Sequence, residues 1–142
     1  MSYLEWFENH GNKHLEIVQK LQSKHYTKEQ IIDYFSFDNM CKNESDFCYL
    51  YAQNKKCHKI TYLNCYMCAC PHFRFNDNGL FEKDGVIVKS TCTIDSKKAI
   101  FSTCSGVSHL DCSNCTVPHS KRFIVQNFSD DWFEIMKKCK RD

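Results

Sequence analysis

The chain has 142 residues, and Leu, Ile, Val and Phe account for only 33 of them, so the sequence predicts one domain with a thin apolar core. Lys and Arg number 19 against 17 Asp and Glu, and no basic block is present, which argues against nucleic-acid binding. The sequence has neither an apolar run long enough to span a bilayer nor the pattern of a secretory leader. A cytoplasmic protein without a membrane partner is therefore expected.

The first forty residues have helical patterning. Apolar residues recur at helical spacing over residues 3–24, with Gly11 as a candidate break, which predicts one kinked helix or two short ones. Thr27 and Gln30 form a capping-box pattern, so a second helix should begin there and continue to about Met40. The two segments together predict a helical hairpin.

Helical spacing fades after this region. The turn-forming pairs Asn78-Gly79 and Asp84-Gly85 predict a small β-hairpin over residues 73–90. Near the end of the chain, Ser129 and the acidic residues after it predict a helix over about 130–140. The sequence thus predicts an α+β fold with short strands and a C-terminal helix.

The eleven cysteines are concentrated in the middle of the chain. None precedes Cys41, and ten lie from Cys41 to Cys115. An odd number suits a disulfide framework poorly, and in a reducing compartment a high cysteine density favours a bound metal. We therefore expect an irregular, metal-stabilised domain over residues 43–142, with the helical region 1–42 packed on it as part of one structural unit.

Two C-x2-C pairs provide the strongest indication of metal binding. They are Cys65 with Cys68 and Cys112 with Cys115, and at this spacing a tight turn directs two thiolates toward one ion. The 43 residues between Cys68 and Cys112 exceed the usual zinc-ribbon interval, so the sequence leaves open whether the pairs share an ion. His119 follows Cys115 closely enough to join its site.

More thiols and imidazoles are present than one tetrahedral ion can use, which predicts two sites or a cluster and an ion. In the leading interpretation, the cysteines of the two C-x2-C pairs bind zinc and the other ligands complete a second site. The predicted ligands are Cys57, Cys65, Cys68, Cys70, Cys92, Cys104, Cys112, Cys115 and His119. The residues left open as ligands are Cys41, Cys48, His58, His72 and His109. In an extended chain the ring of His58 would point away from Cys57, which argues against His58.

Three blocks of the sequence carry a family resemblance. They read Cys57-His58-Lys59, Asn64-Cys65-x2-Cys68-x-Cys70-Pro71 and Asp111-Cys112-Ser113-Asn114-Cys115-x2-Pro118-His119. In this order they resemble the cysteine-rich small domain family, a zinc-finger-like group of small prokaryotic proteins, over about residues 48–128. The family's Cys-Gly-Gly has no counterpart, since neither Cys92 nor Cys104 precedes two glycines. The resemblance implies metal binding without an established reaction.

The identity of the metal follows from the ligand types. Thiolates with imidazoles suit zinc and also iron–sulfur clusters. The run Cys65–Pro71 departs from the bacterial ferredoxin spacing at its third cysteine, which favours zinc. The sequence therefore predicts a zinc-binding accessory or interaction module whose partner is another protein. The alternative is an iron–sulfur protein with a role in electron transfer or sulfur chemistry. No residue pattern names a substrate or a catalytic group.

Overall fold

The computed structural model describes residues 3–94 and 96–137 and has an α+β fold. The chain divides into two compact units. The first unit comprises Met1–Cys68 with Thr116–Ile135, and the second comprises Ala69–Cys115 with Met136–Asp142. Within the described ranges, no helix combines the length and the hydropathy that crossing a bilayer requires.

The helices belong mainly to the first unit. Their bounds are α1 Tyr3–Ser23, α2 Lys28–Tyr34, α3 Phe37–Asn43, α4 Lys121–Gln126 and α5 Trp132–Met136, with 3-10 turns at Tyr49–Gln53 and Val117–His119. The predicted C-terminal helix is confirmed as α5, and the Asp131 carboxylate accepts a hydrogen bond from the Phe133 N–H at its start (2.9 Å). Residues 138–140 of that prediction lie outside the described residues, as does Cys139.

Helix α1 continues through Gly11, so of the two predicted forms the single helix is correct. A Cβ atom at Gly11 would lie 2.4 Å from the Phe133 ring and 2.6 Å from the Trp132 ring. Glycine therefore allows close packing of two aromatic rings against the helix, and it does not interrupt the helix there.

The predicted capping box is present at the start of α2. The Thr27 hydroxyl accepts a hydrogen bond from the Gln30 N–H (3.2 Å), and the Gln30 side chain accepts one from the Thr27 N–H (2.8 Å). These two bonds satisfy backbone donors that the first turn of a helix leaves unpaired.

The predicted single helix from Thr27 to Met40 is wrong, because α2 and α3 are separate helices. At the break, the Phe35 carbonyl accepts a hydrogen bond from the Cys65 N–H (2.8 Å), and the Phe37 N–H donates to the Leu63 carbonyl (2.9 Å). Hydrogen bonds to a distant segment thus replace those of a continuous helix, and they fix the position of Cys65.

Aromatic side chains form the centre of the first unit. The Tyr66 ring packs edge-on against Phe35 (centroids 4.9 Å apart) and against His14 (4.4 Å). His14 Nε2 donates to the Tyr66 carbonyl (3.0 Å). The fully buried side chains of this unit are Trp132, Tyr66, Phe35, Leu21, Ile32, Met40, Met67, Ile124, His14, Val18 and Asn64.

The second unit consists of short strands. They are β1 Phe73–Phe75, β2 Phe81–Lys83, β3 Val86–Val88, β4 Ser90–Cys92, β5 Ile100–Cys104 and β6 Val107–Asp111. Strands β1 and β4 form an antiparallel pair, and the other four form a sheet in the order β2-β3-β6-β5, in which only β3 and β6 are parallel.

The hairpin predicted over residues 73–90 is confirmed in part. Asp84 and Gly85 have φ values of 53° and 80° and connect β2 to β3, as expected for a tight hairpin turn. The N-terminal part of the predicted segment, β1, pairs with β4 instead.

Candidate metal centre

Three side chains of the first unit form a compact group, which we call the Cys-His group: Cys57, His58 and His119. Their ligand atoms all lie within 4.8 Å of one another. His58 Nδ1 lies 3.1 Å from Cys57 Sγ, and His119 Nε2 lies 3.9 Å from the same sulfur. The two imidazole rings have their centroids 4.6 Å apart. The group therefore presents one thiol and two imidazole nitrogens to a common point.

Asn64 holds the His119 ring in place. His119 Nδ1 donates a hydrogen bond to the Asn64 carbonyl (2.9 Å), and the Asn64 N–H donates to the His119 carbonyl (3.1 Å). The first bond assigns the ring proton to Nδ1, so the lone pair of Nε2 points toward Cys57. Metal-binding histidines are usually oriented in this way by a partner on their other nitrogen.

The side chain of Asn64 is itself fixed. It is fully buried, its amide donates to the Ile32 carbonyl (2.7 Å), and its oxygen accepts from the Tyr66 N–H (2.9 Å). The backbone carbonyl of Asn64 binds the His119 ring, and the Asn64 side chain is held by Ile32 and Tyr66. The helical core of the first unit therefore determines where the imidazole lies.

A cavity of about 850 Å³ adjoins the Cys-His group. Its lining includes Cys57 and His119, and also the thiols of Cys48, Cys65 and Cys68. Cys48 and Cys65 therefore share this cavity with Cys57 and His119 within the first unit. Aromatic and aliphatic side chains complete the wall, among them Trp6, Phe37, Phe47, Tyr51 and Leu63.

The electrostatics of this region favour neutral groups in the absence of a cation. Burial lowers the pKa of His119, so its imidazole is neutral at physiological pH. Burial raises the pKa of Cys65 to about 12; the adjacent Tyr51 side chain acts in the opposite direction, and the nearby thiols of Cys57 and Cys48 add to the rise. A bound cation would reverse the preference of the thiols, because a metal ion stabilises the thiolate.

Five further predicted ligands lie in the second unit, and four of them, Cys70, Cys92, Cys112 and Cys115, occupy neighbouring turns and strand ends. Cys104, also predicted as a ligand, is exposed at the end of β5, and its sulfur lies 3.8 Å from the Ser105 hydroxyl. None of the ten described cysteines is in a disulfide.

The residues left open by the sequence fall into two groups. Cys41 and Cys48 lie in the first unit, where Cys48 lines the cavity. His72 and His109 lie in the second unit; His72 Nδ1 is 2.8 Å from the Thr93 hydroxyl, and His109 is exposed on β6.

No family model, curated protein or solved structure matches the chain. The resemblance to the cysteine-rich small domain family thus stays a prediction carried by the three sequence blocks.

The sequence did not identify two residues of this centre. An extended backbone at Cys57 would separate the His58 ring from the thiol, but the chain bends here and brings His58 Nδ1 to Cys57 Sγ. The sequence predicts no role for Asn64, although it directly precedes the C-x2-C pair. Its contribution depends on the distant residues Ile32 and His119, which no local pattern reveals.

Proposed function

We propose that this protein binds zinc through Cys57, His58 and His119, with a thiol of the adjoining cavity as the fourth ligand. The observation that carries the proposal is the convergence of three ligand atoms within 4.8 Å of one another. Structural zinc sites bind four ligands tetrahedrally and commonly combine thiolates with imidazoles. The fixed orientation of the His119 ring supports the proposal, because it leaves Nε2 free for the metal.

The ligand types favour zinc over the iron–sulfur alternative. Most iron–sulfur clusters are held by four thiolates, whereas two of the three members of this group are imidazoles. A Rieske-type cluster does use two histidines with two cysteines, but its two irons would give a coloured protein. Colour and iron content therefore separate the two candidates.

We further propose that the zinc has a structural role in an accessory module that operates in the cytoplasm with a protein partner. The absence of disulfides among the ten described cysteines is consistent with a reducing compartment, where cysteines bind metals more often than they form disulfides. A closed tetrahedral site stabilises its fold and leaves no position for a substrate.

Anaerobic purification followed by metal analysis and a visible spectrum of the same sample tests the metal identity. We expect a colourless protein that contains zinc. A brown protein with iron and acid-labile sulfide would contradict the proposal.

Two matched pairs of variants test the ligands. Cys57→Ser should remove one equivalent of zinc, whereas Cys104→Ser, at another exposed cysteine, should remove none. His119→Gln should likewise remove one equivalent, and His109→Gln, at an exposed histidine, should retain it. Full zinc content in both Cys57→Ser and His119→Gln would show that the Cys-His group is not the site.

A further inference from the structure

The second unit has little hydrophobic core with which to hold its strands together. Among its described residues from Ala69 to Cys115, the buried apolar side chains are Pro71, Val88 and Cys115. Phe81, Ile100 and Phe101 are exposed. Strands of three to five residues with so little burial are not expected to be stable alone. Another interaction must stabilise this unit.

One pair of cysteines meets through the β1–β4 ladder. Phe73 of β1 lies opposite Cys92 of β4, and the Phe73 N–H donates to the Cys70 carbonyl (3.1 Å), which closes a turn before β1. This turn brings the Cys70 thiol into hydrogen-bonding contact with the Cys92 thiol, and that contact, followed by burial, raises the pKa of Cys70.

Cys112 and Cys115 lie near Cys92 because strand β4 contacts strand β6. The Leu110 N–H donates to the Ser90 hydroxyl (2.7 Å), and Cys92 and Cys112 each lie two residues beyond this bond. The Cys115 N–H donates to the Cys112 carbonyl (3.0 Å), which forms the tight turn typical of C-x2-C metal ligands. Burial raises the pKa of Cys112 to about 11, and the thiols of Cys92 and Cys115 add to this rise.

The turn that carries Cys70 is also strained. Ala69 and Cys70 have φ values of 85° and 41°, in the left-handed region that favours glycine. Successive residues in this conformation cost free energy, and such strain persists where other interactions require the geometry. A metal bond to the Cys70 thiol is an interaction of this kind.

We propose that the second unit binds its own zinc ion through four thiolates, those of Cys70, Cys92, Cys112 and Cys115. Each thiol loses its proton to solvent as its sulfur bonds to the metal. No three of these four sulfurs lie within 4.8 Å of one another, so zinc binding has to draw them together. The proposal is independent of the Cys-His group, and it assigns the two C-x2-C pairs to different units.

Zinc content and X-ray absorption of the full chain test the proposal. We expect two zinc ions per wild-type chain, with an average of about three sulfur and one nitrogen ligand per zinc, because one site has mixed ligands and the other has only sulfur. Zn–S bonds near 2.3 Å and Zn–N bonds near 2.0 Å are separable in such spectra. An average of two nitrogens per zinc in the wild type, or iron in place of the second zinc, would overturn the proposal without requiring any variant to fold.

The variants separate this site from the Cys-His group. Cys92→Ser should retain one zinc with mixed nitrogen and sulfur ligands, His119→Gln should retain one zinc with sulfur ligands only, and Cys104→Ser should retain both. If Cys92→Ser kept two zinc ions while His119→Gln lost one, the second site would be refuted and the first would stand. If His119→Gln kept both and Cys92→Ser lost one, the reverse would hold.

Discussion

The two units of this chain contain similar numbers of cysteines but differ in what else they bury. In the first unit, Phe35, Tyr66 and Trp132 are fully buried among helices. In the second, the buried apolar side chains among the described residues from Ala69 to Cys115 are Pro71, Val88 and Cys115, and of these Val88 alone lies in a strand. The comparison indicates that packing chiefly stabilises the first unit, whereas the stability of the second would depend on the zinc ion that we propose for it.

The largest expected effect is that of metal removal. Structural zinc contributes on the order of 10 kcal/mol to the folding of small domains, so chelation should unfold the second unit and leave the first folded. Hydrogen exchange after chelation should therefore show loss of amide protection in β1–β6 and retained protection in α1. If the amides of these strands remained protected after the zinc content had fallen to zero, the second unit would not depend on zinc for its stability.

Acid should weaken the first unit through its buried histidines. Burial lowers the pKa of His10 to about 4, with a further contribution from Lys13, and that of His14 to about 3. At a pH below the ordinary histidine pKa of about 6.5 and above these lowered values, the two histidines are protonated in the unfolded chain and neutral in the folded chain. Stability should consequently fall as the pH falls through this window, by about 1.4 kcal/mol per pH unit for each histidine.

The variant His10→Phe tests this origin of acid sensitivity. The His10 ring is stacked on Trp6 and packs against Phe47, so a phenyl ring suits its surroundings. Urea unfolding of the first unit should show that its free energy of unfolding falls less between pH 7 and pH 5 in His10→Phe than in the wild type, by about 2 kcal/mol. His25→Asn serves as the control because His25 is exposed. Equal losses in wild type and His10→Phe would contradict the prediction.

Overpacking should also act on the first unit alone. Gly11→Ala places a methyl group within 2.6 Å of the Trp132 and Phe133 rings, and we expect it to destabilise the unit by about 1–3 kcal/mol without changing zinc content. The neighbouring exposed position offers the control, since Asn12→Ala adds no contact and improves helix propensity. If Gly11→Ala were as stable as Asn12→Ala in thermal unfolding, the aromatic rings would have moved to accommodate the methyl group, and the prediction of overpacking would be wrong.

The smallest effect concerns the start of α2. Thr27→Ala removes one half of the capping box and should cost about 1 kcal/mol in urea unfolding of the first unit. Thr93→Ala, in a loop of the second unit, should leave that midpoint unchanged. A midpoint shifted equally by both variants would mean that the two units unfold together.

Local patterns in the sequence predicted several elements correctly. The helical spacing of residues 3–24, the capping box at Thr27 and the turn at Asp84-Gly85 depend on interactions between residues close in the chain, and all three are present. The break between α2 and α3 was not predicted, because it arises from hydrogen bonds of Phe35 and Phe37 to residues some thirty positions away.

For the candidate metal centres, the sequence by itself determined which residue types are available and that they are too many for one ion. Only the tertiary structure decided their grouping. The ring of His58 joins Cys57 because the backbone bends, and His119 joins them because the Asn64 carbonyl accepts from its Nδ1 across 55 positions of the chain. Cysteine spacing specifies which thiols share a turn, whereas packing and strand pairing specify which turns meet, and the latter interactions leave no local pattern in the sequence.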